Sequence, residues 1–173
     1  MRLFIFGVLF GLLVLFPVAA YLYVRTGQLS LATSARPLPG EEFLAKTALR
    51  ASIGQASALK NPLPITDENL LAGATEYREY CAVCHGLPLQ TAAPIAAGMF
   101  PPPPQLLEGH EMVTDDPEGS TFWKISNGIR LSGMPRFDKM PESARWQLTM
   151  LLKHADKLPL PVQANLRQPL VMH

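Results

Sequence analysis

The chain has 173 residues, with 15 Lys plus Arg against 14 Asp plus Glu, and 17 prolines. Arg2 is the one charged side chain ahead of residue 25, so the rest of the chain is formally neutral, which argues against a nucleic-acid binder working through a basic face. The length suits one domain with appendages, since domains run ~100–200 residues, and a proline share about twice the usual ~5% predicts stiff connectors and few strands.

The stretch "LFIFGVLFGLLVLFPVAAYLYV" at 3–24 is uncharged and long enough to cross a bilayer core, which takes ~20 apolar residues. Arg2 and Arg25 bracket it, and Tyr21 and Tyr23 stand where interfacial aromatics are favoured. Val18-Ala19-Ala20 is an acceptable signal-peptide cleavage site, but the apolar run continues past it, beyond the ~7–15 residues of a signal core. The expectation is a retained anchor at 1–24, with the rest of the chain exported. Pro17 is tolerated in a membrane helix and can kink it.

Residues 25–65 read as a linker followed by an extra helix. "RTGQLSLATSARPLPG" at 25–40 has little to bury. In 41–60, Phe43, Leu44, Ala48, Leu49 and Ile53 recur at roughly helical intervals behind Glu41 and Glu42, which favour a helix N-terminus. This helix is expected to pack on the main domain or on a partner. "NPLPI" at 61–65 is an extended connector, and Thr66 is placed to cap the next helix.

That helix runs into "EYCAVCHGLPL", which contains Cys81, Cys84 and His85 and both cysteines of the chain. A thioredoxin-like pair needs an α/β setting that the chain lacks. A structural zinc site needs two further ligands at matching spacing, and His110 and His154 are too scattered to supply them. A disulfide between cysteines three apart in a helix closes a small, strained loop. C-x-x-C-H, in contrast, is the attachment pattern of haem c. Two thiols on one turn add across the two vinyl groups, and His85 then falls beneath the iron as the first axial ligand.

Downstream, the Pro101–Pro104 run is either a stiff surface strap or the source of a carbonyl, from Pro103 or Pro104, for the outer nitrogen of His85. His110 lies in the acidic "EGHEMVTDD" and reads as solvated; as a ligand it would make the iron bis-histidine. "STFWKISNGI" predicts a short helix presenting Phe122, Trp123 and Ile125 to the haem, with the Trp123 indole able to reach a propionate. Lys124, Arg130, Arg136, Lys139 and Arg145 make 124–145 a basic stretch. Among the methionines, Met134 has Gly133 before it for close approach and Pro135 after it to fix an extended turn. Met99 and Met140 lack that pairing, and Met150 lies on an apolar helix. "PESARWQLTMLLKHADKL" is a helix with Trp146, Leu148, Leu151 and Leu152 inward. His154 at its end suits the helix dipole, His173 is terminal, and the tail from Pro159 reads as extended.

From about Thr66 to Lys157 these features resemble the class I, single-haem c-type cytochromes. "TDENLLAGATEYREYCAVCHG" is similar to the family's first helix running into the haem site, with Gly73 and Tyr77 as its small residue and aromatic. "PPPPQLL" resembles the following loop, "NGIRLSGMP" the segment with the second axial ligand, and "ESARWQLTMLLKH" the closing helix. Leu151 stands where the family often has an aromatic, which implies a looser contact between the terminal helices. Residues 25–65 have no counterpart in the minimal fold.

The resemblance implies an all-α fold: a small cytochrome c domain at 66–158 around one covalent haem c, with an N-terminal transmembrane helix, an extra helical extension and an extended tail at 159–173. It implies Cys81 and Cys84 as thioether residues, and His85 and Met134 as axial ligands. The expected role is single-electron transfer without chemical transformation, in the periplasm, tethered to a bacterial inner membrane by one helix. Redox donors and acceptors are the implied partners, steered by the basic stretch if it rims the haem edge. The alternative is a fixed haem subunit of a larger membrane oxidoreductase or respiratory complex. A haem enzyme or gas sensor needs an open sixth position, against which "SGMP" argues.

Overall fold

The computed structural model describes residues 1–90, 93–108 and 113–170. It divides into two compact units, Met1–Arg36 and Pro37–His173. The first is dominated by α1 (Arg2–Arg25), which runs unbroken through Pro17. Phe4–Arg25 has a mean hydropathy of 2.5 and no buried residue. A helix apolar on every side is matched to lipid rather than to water, so α1 has the length and surface of a single-pass membrane anchor.

The second unit is helical throughout, with no strand among the described residues. Its first helix, α2 (Glu41–Ile53), starts on two acids and stops at Gly54, whose φ of 46° favours glycine. The predicted helix over 41–60 therefore ends early and tightens into a 3-10 turn, Gly54–Ala58. That turn, with Ile53, makes the contact with the domain: a Cβ on Gly119 would lie 2.9 Å from the Leu59 nitrogen and overlap the Ala56 carbonyl. Phe43 and Leu44 remain exposed.

Next come α3 (Asp67–Glu76), a wider π-type turn (Tyr77–Cys81) and α4 (Ala82–His85). Thr66 caps α3 as expected, its Oγ1 accepting from the Asn69 N–H at 3.2 Å. The short α5 (Pro94–Ala97), α6 (Glu118–Asn127), α7 (Glu142–Lys153) and α8 (Leu160–Leu166) complete the order.

The core forms where α3 crosses α7. Gly73 is the crossing point: a Cβ there would lie 2.8 Å from the Gln147 carbonyl carbon and 3.2 Å from the Leu151 Cβ. Leu151 is fully buried, so the helices meet closely with a leucine in the aromatic's place. Trp146, Leu148 and Leu152 also face inward as predicted, joined by Met150. α6 closes on α7 through Phe122, whose ring stacks on Trp146 at 3.9 Å between centroids, while the Arg145 guanidinium lies over the same ring, 5.2 Å from its centroid. Phe122 thus serves the helix contact, Ile125 is core and Trp123 is half-buried.

The tail departs from expectation. The stretch from Pro159, predicted as an extended tail, carries a helix instead: α8 spans Leu160–Leu166. Pro159 and Pro161 sit before and within the first turn, where a missing N–H costs nothing, and Val162 and Leu166, one turn apart, are both buried. Arg78 holds this end in place, donating to the carbonyls of Asn165 (2.9 Å), Gln168 (2.6 Å) and Pro169 (3.1 Å).

Candidate cofactor site

Cys81 closes the π-type turn, and Cys84 and His85 lie on the single turn of α4. Such wide turns inside helices are frequent at functional positions. Both cysteines are free and half-buried. Burial pushes the Cys81 thiol up to about 12, with the neighbouring Cys84 and Glu76 adding to the effect. Among the described residues no three His, Cys, Asp or Glu side chains converge on a point fit for a metal ion.

His85 is oriented by the proline run. Its Nδ1 lies 2.8 Å from the Pro104 carbonyl oxygen. A carbonyl only accepts, so Nδ1 carries the hydrogen and Nε2 keeps the lone pair. Burial lowers the His85 pKa, opposed by the Pro104 hydrogen bond, a shift toward the neutral ring, which is the form that ligates a metal. Of the two prolines open in the sequence, Pro104 makes the contact. The adjacent Gly86 adopts φ 74°, and its carbonyl accepts from the buried Tyr77 hydroxyl at 3.0 Å. Tyr77, at the head of the π-type turn, therefore fixes the residue next to His85.

Met134 sits on a loop closed by its own backbone. The Ile129 N–H donates to the Met134 carbonyl at 3.2 Å, the Ser132 hydroxyl donates to the Ile129 carbonyl at 2.7 Å, and the Met134 N–H donates to Ser132 Oγ at 3.3 Å. Gly128 begins the loop at φ 67°; a Cβ there would lie 2.7 Å from the Met134 carbonyl oxygen and 2.8 Å from the Arg136 nitrogen. The Phe137 N–H then donates to the Ile125 carbonyl at 3.0 Å, pinning the far end to α6. The Phe137 ring packs edge-on against Tyr80, 6.1 Å between centroids, immediately before Cys81. The Met134 loop is thus tied to the helix of the attachment motif.

Met150 is core and Met140 packs against the core edge. Met99 is half-buried, with its methyl against Gly133. His154 turns its Nδ1 to the Met150 carbonyl at 2.9 Å, a helix-end role. His110 and His173 lie outside the described residues. The basic stretch is split by its own contacts. Lys124 pairs with Asp116 at 2.8 Å and Arg145 donates to Ser126 Oγ at 2.6 Å, which leaves Arg130 and Lys139 exposed and Arg136 near Asp138 at 3.4 Å.

Sequence reasoning missed Tyr80, Phe137, Gly86 and Gly128. The two glycines were detectable, since each follows a helix at the position where left-handed backbone is favoured. The Tyr80–Phe137 contact had no local signal.

The residues fit a haem. There are two free thiols one turn apart, an imidazole with Nε2 available, and a thioether on a loop whose glycine leaves no room for a side chain. Residues 68–150 match the family model described as cytochrome c oxidase, cbb3-type, subunit III. This segment is a class I, single-haem c-type cytochrome domain, and such a domain carries covalently bound haem c and serves electron transfer. No curated protein matches the chain at a significant level.

Proposed function

We propose that this chain, with a c-type cytochrome domain at residues 68–150 and an apolar helix ahead of it, is a tethered single-electron carrier. It works at the periplasmic face of a bacterial inner membrane. Cys81 and Cys84 form the thioethers, and His85 Nε2 and the Met134 sulfur are the axial ligands. Bound haem c supplies a reversible Fe(III)/Fe(II) change. A His/Met pair raises the potential and leaves no open position, which suits transfer rather than catalysis.

The observation that carries the reading is the 2.8 Å contact of His85 Nδ1 with Pro104 inside C-x-x-C-H. The Pro104 carbonyl holds the imidazole in one tautomer and one orientation, and Gly128 with the Ile129–Met134 bridge holds the thioether. Arg130 and Lys139, exposed on either side of Met134 in the sequence, favour an acidic partner, in a salt-dependent way.

The test is optical. The oxidised protein is expected to show a weak far-red iron–sulfur band, lost in Met134→Ala, and the reduced protein no shift with carbon monoxide. Ready carbon monoxide binding by the unaltered protein would remove Met134 as ligand. Cys81→Ser with Cys84→Ser is expected to release all haem on acid extraction.

A second reading, a fixed haem subunit of a larger respiratory complex, is favoured by the subunit named in the family description and by exposed Phe43 and Leu44 on α2. Purification in mild detergent separates the two: stoichiometric partner chains support the subunit, a lone monomer the carrier.

A further inference from the structure

We propose that Met99 is a positioning residue that clasps together the two loops serving opposite axial ligands. This rests on the His85/Met134 reading above. On one side, Met99 ends the turn after α5, its N–H donating to the Ala96 carbonyl at 3.2 Å. Only Phe100 and four prolines carry the chain from Met99 to the Pro104 carbonyl that orients His85. Proline fixes φ at each of those four positions, so this is a short, stiff arm. On the other side, the Met99 methyl lies against Gly133, immediately before Met134. A Cβ on Gly133 would overlap that methyl, and Gly133 has a φ of 76°.

Gly133 is therefore glycine for two reasons: the backbone conformation and the room taken by Met99. The consequence is mechanical. The Met134 loop is tied back to α6 at Gly128 and Phe137, but its segment over 130–133 is exposed apart from half-buried Ser132. Met99 reaches that segment from the His85 side, at Gly133. While it is in place, Met134 cannot swing outward without displacing a thioether held by a proline arm. Without it, the loop keeps its own hydrogen bonds and its ties to α6 and Tyr80 but loses this brace from the His85 side, and Met134 yields more readily to an incoming ligand.

The experiment uses the full haem-loaded protein and imidazole as the competing ligand of the oxidised iron, followed by loss of the far-red band. Met99→Ala is expected to keep the band in the absence of imidazole and to bind imidazole about tenfold more tightly than the unaltered protein. Met99→Leu, which keeps the bulk, is expected to bind as the unaltered protein does. Gly133→Ala displaces the methyl from the other side and is expected to match Met99→Ala; it supplies the comparison if Met99→Ala loads haem poorly.

Equal imidazole affinity in all four proteins overturns the clasp while leaving Met134 as ligand. Loss of the band in both Met99 variants, with retention in Met134→Ala, makes Met99 the ligand and overturns both readings. An unaltered protein without the band, and with a spectrum indifferent to Met134→Ala, removes the Met134 reading on which the clasp stands.

Discussion

Replacing Gly73 with alanine adds a single methyl at the tightest point of the molecule. That carbon would meet the Gln147 carbonyl oxygen in hard overlap, its carbon at 2.8 Å and the Leu151 Cβ at 3.2 Å, against about 3.4 Å for ordinary contact. Two of these three atoms are backbone of α7, so a side-chain rotation cannot relieve the overlap and α7 must retreat by roughly 1 Å. A radial gap of ~0.5–1 Å forfeits about a quarter to a half of each dispersion contact, and here the contacts are those of Ala74, Tyr77, Leu148 and Leu151, all fully buried. Overpacking of this kind costs ~1–3 kcal/mol, and the upper end applies where backbone meets backbone. The gain in helix propensity from Gly to Ala, ~1 kcal/mol, offsets part of it. The expected net loss is about 2 kcal/mol, a large share of a domain stability of ~5–15 kcal/mol. Urea unfolding of the haem-loaded protein, followed by helical circular dichroism, measures it. Gly98→Ala is the control, because its Cβ would find its nearest neighbour at 3.6 Å. A Gly73→Ala protein as stable as that control would refute the close crossing of α3 and α7.

Tyr77 couples stability to pH. Burial raises its phenol pKa well above the ordinary ~10. The raised folded value means that its stabilisation is complete below pH 10 and falls away as pH rises beyond it, by up to ~1.4 kcal/mol per unit. Tyr77→Phe is expected to cost ~1 kcal/mol at pH 8 for the lost hydrogen bond to Gly86, with the gap closing above pH 10; a gap constant from pH 8 to 11 contradicts this. Thr66→Ala removes the cap of α3 and is expected to cost ~1 kcal/mol in urea unfolding, recovered by Thr66→Ser. Gly128→Ala drives a Cβ into the Met134 carbonyl and the Arg136 nitrogen; the far-red band is expected to vanish while haem remains covalently attached, and an unchanged band would show that the loop can shift without moving Met134.

Local chemistry made much of this legible. Thr66 before two acids announced a helix start, C-x-x-C-H announced its cofactor, and Trp146, Leu148, Leu151 and Leu152 announced a buried face. The choice of Pro104 over Pro103 could not be read from four identical residues, because it depends on where His85 comes to lie. The helix at 160–166 was obscured by three prolines, although Val162 and Leu166 were spaced for a face. What turns that segment helical is a surface to cover on α3 and the grip of Arg78, both about 90 residues away in sequence. Lys124 and Arg145 looked like part of a charged rim, but Asp116 and Ser126 draw them into structural contacts, and no count of charges along the chain shows that.

The grip of Arg78 on α8 has a consequence for the order of events during synthesis. Arg78, three residues before Cys81, has its acceptors at Asn165, Gln168 and Pro169, and Gly73 has its counter-surface at Gln147 and Leu151. When the two thiols leave the ribosome, these later segments are still to be made. In the closed domain burial pushes a free Cys81 thiol up to about 12, so little of it is thiolate. Before those segments arrive Cys81 lacks that burial, so its thiol ionises more readily early in synthesis than after the domain has closed.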